Sequence, residues 1–274
     1  MNTNLLGKKV YNLQKLLREL KSVVVAYSGG ADSSFLLYAA RKVLGKDKVL
    51  AVIAQSPTYP KKELNSAKKL VRRMDVNYKI IRTDEFSDKN FYTNPPKRCY
   101  YCKKELFGKL NRIAKAGGYK FLADGSNSDD KKDYRAGNRA AGEFKVVRPL
   151  ALVGLEKQEI RRLSKAVGLP THDKPAQACL ASRVPYFEKI TRQKLGAIEK
   201  AEDYLEELGF RGVRVRYHED IARIELQNGS MKRFLDDKLR KKVASKLRNL
   251  GFTYITLDLE GYKTGSLNRV LKQK

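Results

Sequence analysis

Residues 23–34 read VVVAYSGGADSS. A β-branched apolar run, Val23–Tyr27, meets Ser28-Gly29-Gly30, and a helical pattern follows from Ser33 to about Leu44, where Gly45 stops it. A strand that turns through two glycines into a helix presents backbone N–H groups and the positive end of the helix dipole to an anion. Ser28 and Ser33 add hydroxyl donors. Asp32 would repel a phosphate unless Mg²⁺ lies between them, so it is a candidate metal ligand. The bland alternative is a strand–turn–helix corner with a serine cap. The stretch is neither GxxxxGK[ST] nor GxGxxG.

Working outward, strands and helices alternate through the first half. Val49–Ala54 and Tyr78–Ile81 read as strands around a helix at Lys61–Met74. A helix from about Tyr101 to Ala116, a strand Phe121–Ala123, a fifth strand at Val146–Val147 and a helix Glu156–Val167 complete the order. This predicts an open, Rossmann-like α/β fold, mostly parallel, with helices on both faces. After about Pro185 the pattern becomes helix (Thr191–Leu208), hairpin (Val213–Tyr217, Ala222–Leu226), helix (Met231–Leu250), strand (Tyr254–Leu257). Two domains are expected, 1–187 and a smaller α+β domain at 188–274.

The 274 residues suffice for one large or two smaller domains, and 42% hydrophobic with 32% charged is a globular composition. No apolar run approaches the roughly 20 residues of a membrane span, and the N-terminus has no signal-peptide core. A cytoplasmic protein is expected. Lys+Arg 58 against Asp+Glu 30 gives a net charge of +28. That excess fits either a polyanion partner or a solvated lysine-rich surface, and its spread along the chain leaves both open.

Two further features lie near the expected ligand edge. After the fourth strand comes Asp124-Gly125-Ser126-Asn127, at the carboxyl end of the sheet where open α/β sheets bind ligands. Cys99 and Cys102 form a C-x-x-C in NPPKRCYYCKKE, with Cys179 far off in KPAQACLASR. An iron–sulfur cluster, a zinc site completed by His172, a redox pair and unused thiols all remain open on the residues alone.

VAYSGGADS resembles the PP-loop of the ATP pyrophosphatases (adenine nucleotide alpha hydrolase-like), which cleave ATP between its α- and β-phosphates. CYYCKKELF, DYRAGNRAAGE, ACLASRVPY, VRVRYHEDIARIEL and FTYITLDLEGYKTGSLN together resemble the LarE family over the whole chain. That family comprises ATP-dependent sulfur transferases of nickel-pincer cofactor synthesis. The resemblance implies ATP and Mg²⁺ at Ala26, Ser28, Gly29, Gly30, Asp32, Ser33, Gln55, Asp124 and Gly125. It implies a [4Fe–4S] cluster on Cys99, Cys102 and Cys179, as against the family's other style, in which a cysteine at the Cys179 position surrenders its own sulfur. The implied substrate is a pyridinium-3,5-biscarboxylate mononucleotide, with a sulfide donor.

For the anionic substrate the candidate contacts are Arg135, Ser182, Arg183, Glu202, Arg214 and Arg216, with Asp32, Cys179 and Arg183 as candidate catalytic residues. His172 and His218 are expected to be structural. A homo-oligomer, trimer or hexamer, is expected, with no nucleic-acid or membrane partner. The rivals are a PP-loop enzyme that thiolates tRNA, a non-catalytic metal-assembly protein and an ammonia-using synthetase.

Overall fold

The computed structural model describes residues 3–131, 137–175, 178–227, 229–263 and 265–271. Its elements are α1 (Thr3–Leu20), β1 (Val23–Ala26), α2 (Ala31–Leu44), β2 (Val49–Gln55), α3 (Lys61–Arg73), β3 (Asn77–Arg82), α4 (Lys89–Tyr92), α5 (Arg98–Ala116), β4 (Phe121–Asp124), α6 (Gly137–Glu143), α7 (Pro149–Leu152), α8 (Lys157–Ala166), α9 (Arg192–Glu207), β5 (Arg214–His218), β6 (Ile221–Glu225), α10 (Met231–Phe234), α11 (Asp237–Arg248) and β7 (Tyr254–Leu257). The chain divides into two compact units, 1–87 with 97–177, and 88–96 with 178–274.

The first unit is a Rossmann-like α/β fold built on a parallel sheet of order β3-β2-β1-β4. Alternation in β1 explains its two covered faces. Val23 and Val25 pack with Leu17 of α1, Phe35 and Leu36 of α2, Leu64 of α3 and Ile160 of α8. Val24 packs on the other face with Phe107 and Leu110 of α5 and Ala140 of α6. Because the strands are parallel, Ala26, Gln55 and Asp124 all end at one edge, with Ala26 in register with Val52 and Asp124. The expected fifth strand is reduced to a single bridge between Ala123 and Val147. The chain enters α7 at Pro149, which cannot donate to a ladder.

The second unit has its own core, with Leu205, Phe210, Val215, Ile224, Phe234, Leu247 and Phe252 all buried. Its sheet is the expected β5–β6 hairpin with β7 parallel to β6. It begins at Ala178, before the expected boundary, and includes 88–96. Hydrogen bonds tie that segment in: Asn94 Nδ2 donates to the carbonyls of Val184 (3.2 Å) and Pro185 (2.6 Å), and the Ile190 amide donates to Tyr92 O at 2.8 Å. The helix expected at 231–250 is broken after Phe234, because Asp236 caps a new start by accepting from the Leu239 amide at 2.9 Å.

Candidate functional site

The loop after β1 is held from behind. Gly29 has φ +66°, and a Cβ there would come within 2.7 Å of Ala67 Cβ on α3, so both the turn and the close approach require glycine. The Tyr59 hydroxyl donates to Ser28 O, and Lys174 Nζ donates to Gly29 O at 3.1 Å while ion-pairing with the buried Glu63. Arg161 donates to the carbonyls of His172 (2.7 Å) and Lys174, fixing the segment that carries this lysine. Burial pushes the Tyr59 phenol up, which keeps it a proton donor. Two loop carbonyls are thus occupied. Gly30 caps α2 with no side-chain bond, and the first helical bond runs from Ser34 N to Gly30 O at 3.0 Å. The first-turn amides of α2 therefore lack intrahelical acceptors. The Ser28 and Ser33 hydroxyls lie 3.0 Å apart beside them.

Asp32 stands in the first turn of α2. Its Oδ2 accepts from Asn127 Nδ2 at 3.2 Å, and its Oδ1 is buried with no hydrogen-bond partner. Asn127 Oδ1 accepts from the amides of Asp129 (3.0 Å) and Asp130 (3.2 Å), which turns its NH₂ group to Asp32. Burial pushes the Asp32 carboxyl above the ordinary range, against the pull of Lys157, Asn127 and Arg161. A buried carboxylate oxygen without a donor, at a helix start suited to phosphate, fits a Mg²⁺ ligand.

Gly125 is required by packing: a Cβ would lie 2.7 Å from Ser33 N and 2.8 Å from Ser33 Cα. The β4 loop is thereby pressed onto the start of α2. Asp124 is buried, with Oδ1 accepting from Ser126 N at 2.9 Å and Oδ2 3.8 Å from Lys103 Nζ. Gln55 is exposed at the end of β2, and its carbonyl accepts from Thr83 N at 3.1 Å.

None of the three cysteines is in a disulfide; Cys99 and Cys179 are exposed and Cys102 is half-buried. Cys99 and Cys102 share one face of the first turn of α5, at i and i+3. Cys179 belongs to the second unit. Three thiols are the donor type an iron–sulfur cluster takes. Among the described residues, however, no group of three or more His, Cys, Asp or Glu is gathered to hold a metal.

In the second unit the expected arginines divide. Arg183, 1% exposed, grips Glu202 with Nε and Nη2, each at 2.9 Å, and its Nη1 donates to the carbonyls of Ala178 (2.8 Å) and Cys179 (3.1 Å) and to Ser182 Oγ (3.0 Å). Burial opposes the Arg183 charge, but Glu202 outweighs it and holds the pKa above its ordinary value. Arg216 grips Glu225 in the same fork-to-fork manner at 3.0 and 2.7 Å, and donates to Ser182 O at 2.7 Å. Arg214 is buried, yet among the described residues it has no carboxylate at ion-pair distance. It donates to Val213 O at 2.9 Å, and its guanidinium lies 5.4 Å from the Tyr262 ring centre. Burial, then the nearby Arg183 charge, lowers its pKa. Arg135 lies outside the described residues.

The NAD synthase family model matches residues 6–98, the span that carries the loop after β1. An uncharacterized protein of Synechocystis is 43% identical over 267 residues, covering 97% of this chain and 99% of its own. The pyridinium-3,5-bisthiocarboxylic acid mononucleotide synthase of Lactiplantibacillus plantarum is 37% identical over 266 residues, 97% of this chain and 96% of its own. The chain belongs to the LarE family. A glutamine-hydrolyzing GMP synthase component of Thermoplasma volcanium is 28% identical over 67% of this chain and 63% of its own. LarE membership thus spans both units, whereas the NAD synthase match falls within the first 98 residues. The expected Rossmann-like fold and the expected family both hold for this LarE protein, which is accordingly an enzyme. No helix among the described residues is long and apolar enough to cross a membrane.

Tyr59, Glu63, Arg161 and Lys174, which support the loop, are not among the residues the sequence pattern points to. Lys174 opens the KPAQACLASR stretch that carries Cys179, five residues on. The others carry no local signal.

Proposed function

We propose that this chain converts the carboxylates of a pyridinium-3,5-biscarboxylate mononucleotide to thiocarboxylates, using ATP. The observation that supports this most is the unpartnered Asp32 oxygen beside the open first turn of α2, in a chain of the LarE family. In the first half-reaction a substrate carboxylate oxygen attacks the α-phosphorus of ATP. The bond to the β-phosphate oxygen breaks, giving an acyl-adenylate and pyrophosphate. Asp32 would hold a Mg²⁺, which when bound would offset negative charge on the phosphates, and the α2 amides with the Ser28 and Ser33 hydroxyls receive the charge of the leaving pyrophosphate. Ala26, Gly29, Gly30, Gln55, Asp124 and Gly125 frame the nucleotide at the sheet edge.

In the second half-reaction hydrosulfide attacks the activated carbonyl. The carbon–oxygen bond to AMP breaks, one proton is released, and a thiocarboxylate remains. Cys99, Cys102 and Cys179 are the ligands we assign to a [4Fe–4S] cluster, which when bound would supply the sulfide. Arg183, the first expected anion contact, has its fork on Glu202, so Arg214, which among the described residues has no carboxylate at ion-pair distance, is proposed beside it for an anionic group of the substrate. Arg183, Arg216, Glu202 and Ser182 shape the turn that carries Cys179, and Arg135 completes the proposed substrate set.

The nucleotide domain, expected at 1–187, is proposed to be the unit of 1–87 with 97–177, and the unit of 88–96 with 178–274, expected at 188–274, is proposed to serve substrate binding or assembly into a trimer or hexamer in the cytoplasm. The test is anaerobic turnover: AMP and pyrophosphate should appear only with the pyridinium substrate. Formation of AMP with transfer RNA instead, and a thiolated base, would move the assignment to the tRNA rival.

A further inference from the structure

Glu85 sits between the end of β2 and the first turn of α5, and the chemistry above does not use it. It is 4% exposed. Its Oε2 accepts from Ser56 Oγ at 3.0 Å. Its Oε1 accepts from Thr83 Oγ1 at 3.0 Å and from Cys102 Sγ at 3.7 Å. Ser56 is itself fixed: its hydroxyl lies 2.8 Å from Thr58 Oγ1 and accepts from the Thr58 amide at 3.0 Å. The turn carrying Glu85 is anchored to the same helix as Cys102, because the Asp84 amide donates to Glu105 Oε1 at 2.8 Å.

One buried carboxylate therefore has one oxygen on the residue after Gln55 and the other on the second cysteine. A carboxylate buried among neutral donors is costly, and an apolar side chain would fill the space at less expense if packing were its whole role. We propose that Glu85 is a positioning residue that couples occupancy of the nucleotide segment to the presentation of Cys102. This rests on the nucleotide reading above. A nucleotide lying against Gln55–Ser56 fixes the Ser56 hydroxyl, that hydroxyl fixes the rotamer of Glu85, and the carboxylate fixes the thiol.

The test is alkylation of the full-length, reduced, chelator-treated chain by iodoacetamide, followed peptide by peptide by mass spectrometry. Cys99, exposed on the same first turn of α5, is the internal reference. Mg-ATP affinity is measured by calorimetry on the same samples. In the parent chain, saturating Mg-ATP should slow Cys102 relative to Cys99 by about fivefold, the worth of one hydrogen bond. Glu85→Gln and Glu85→Ala should bind Mg-ATP normally yet show no such change. The Gln variant is isosteric and keeps the test open if the Ala variant does not fold. An ATP-dependent change that persists in a variant, or none in a parent chain that binds ATP, overturns the coupling. A parent chain that binds no ATP overturns the nucleotide reading, and the coupling with it.

Discussion

Lys174 donates to the carbonyl of Gly29 at 3.1 Å, across 145 residues of sequence. With Tyr59 on the Ser28 carbonyl, this contact occupies two acceptors in the loop and leaves the amides of the α2 start for an anion. The orientation of the loop is thus imposed by side chains distant from it in sequence.

Removing one of these supports should be visible in binding more than in folding. Tyr59→Phe should weaken Mg-ATP binding about fivefold, the worth of one hydrogen bond. Urea denaturation of the same variant should stay within about 1 kcal/mol of the parent. Unchanged ATP affinity would show that the Ser28 carbonyl needs no donor.

Asp32 should behave as a functional residue that the fold tolerates poorly. Its folded pKa is raised by burial, so its contribution to stability is present below the ordinary carboxylate pKa and lost as pH rises through the raised value. Asp32→Asn should accordingly raise the melting temperature of the metal-free chain at neutral pH, by about 2 °C, while abolishing Mg²⁺-dependent pyrophosphate release. For the same reason, Mg²⁺ affinity of the parent should fall with acidification at a pH above the ordinary carboxylate range. Pyrophosphate release at the parent rate by Asp32→Asn would remove Asp32 from the mechanism.

Much of the site was legible because its chemistry is local. SGGADS announces itself through turn glycines and a helix start, and the strand periods around it placed it on a parallel sheet edge. What was not legible is tertiary. Glu85, Tyr59 and Glu63 are single polar residues in ordinary surroundings, and only the fold brings them under the loop or beside Cys102. The break at Asp236 was missed because the apolar spacing of 231–250 continues across it, while one carboxylate wins the backbone for a cap. The arginines show the same limit: alternation in a strand cannot say that Arg216 grips Glu225 while Arg214, among the described residues, has no carboxylate at ion-pair distance.

The Arg183–Glu202 pair is closed and buried, so breaking it from one side should be severe. Arg183→Ala or Glu202→Ala should each cost about 3–5 kcal/mol in denaturant unfolding, because each strands the partner charge. The double variant should cost less than the sum of the two. Additive losses would mean that the two side chains act independently in stabilising the turn that carries Cys179.

Arg214 should give the opposite pattern. Arg214→Gln removes a buried cation that, among the described residues, has no carboxylate at ion-pair distance, so stability should hold or rise. The KM for the pyridinium substrate should rise at least about tenfold, consistent with loss of a charge-assisted contact. A loss of stability with unchanged KM would make Arg214 a structural residue.

The central claim is that carboxylate oxygen is replaced by sulfur at the expense of ATP. It is tested most directly by mass spectrometry of the pyridinium-3,5-biscarboxylate mononucleotide after anaerobic incubation with the reconstituted chain, Mg-ATP and sulfide. The account predicts two successive products, each one oxygen-to-sulfur exchange heavier than the last, with one AMP formed per exchange. An unchanged substrate while ATP is consumed, or an amide in place of the thiocarboxylate, would contradict it.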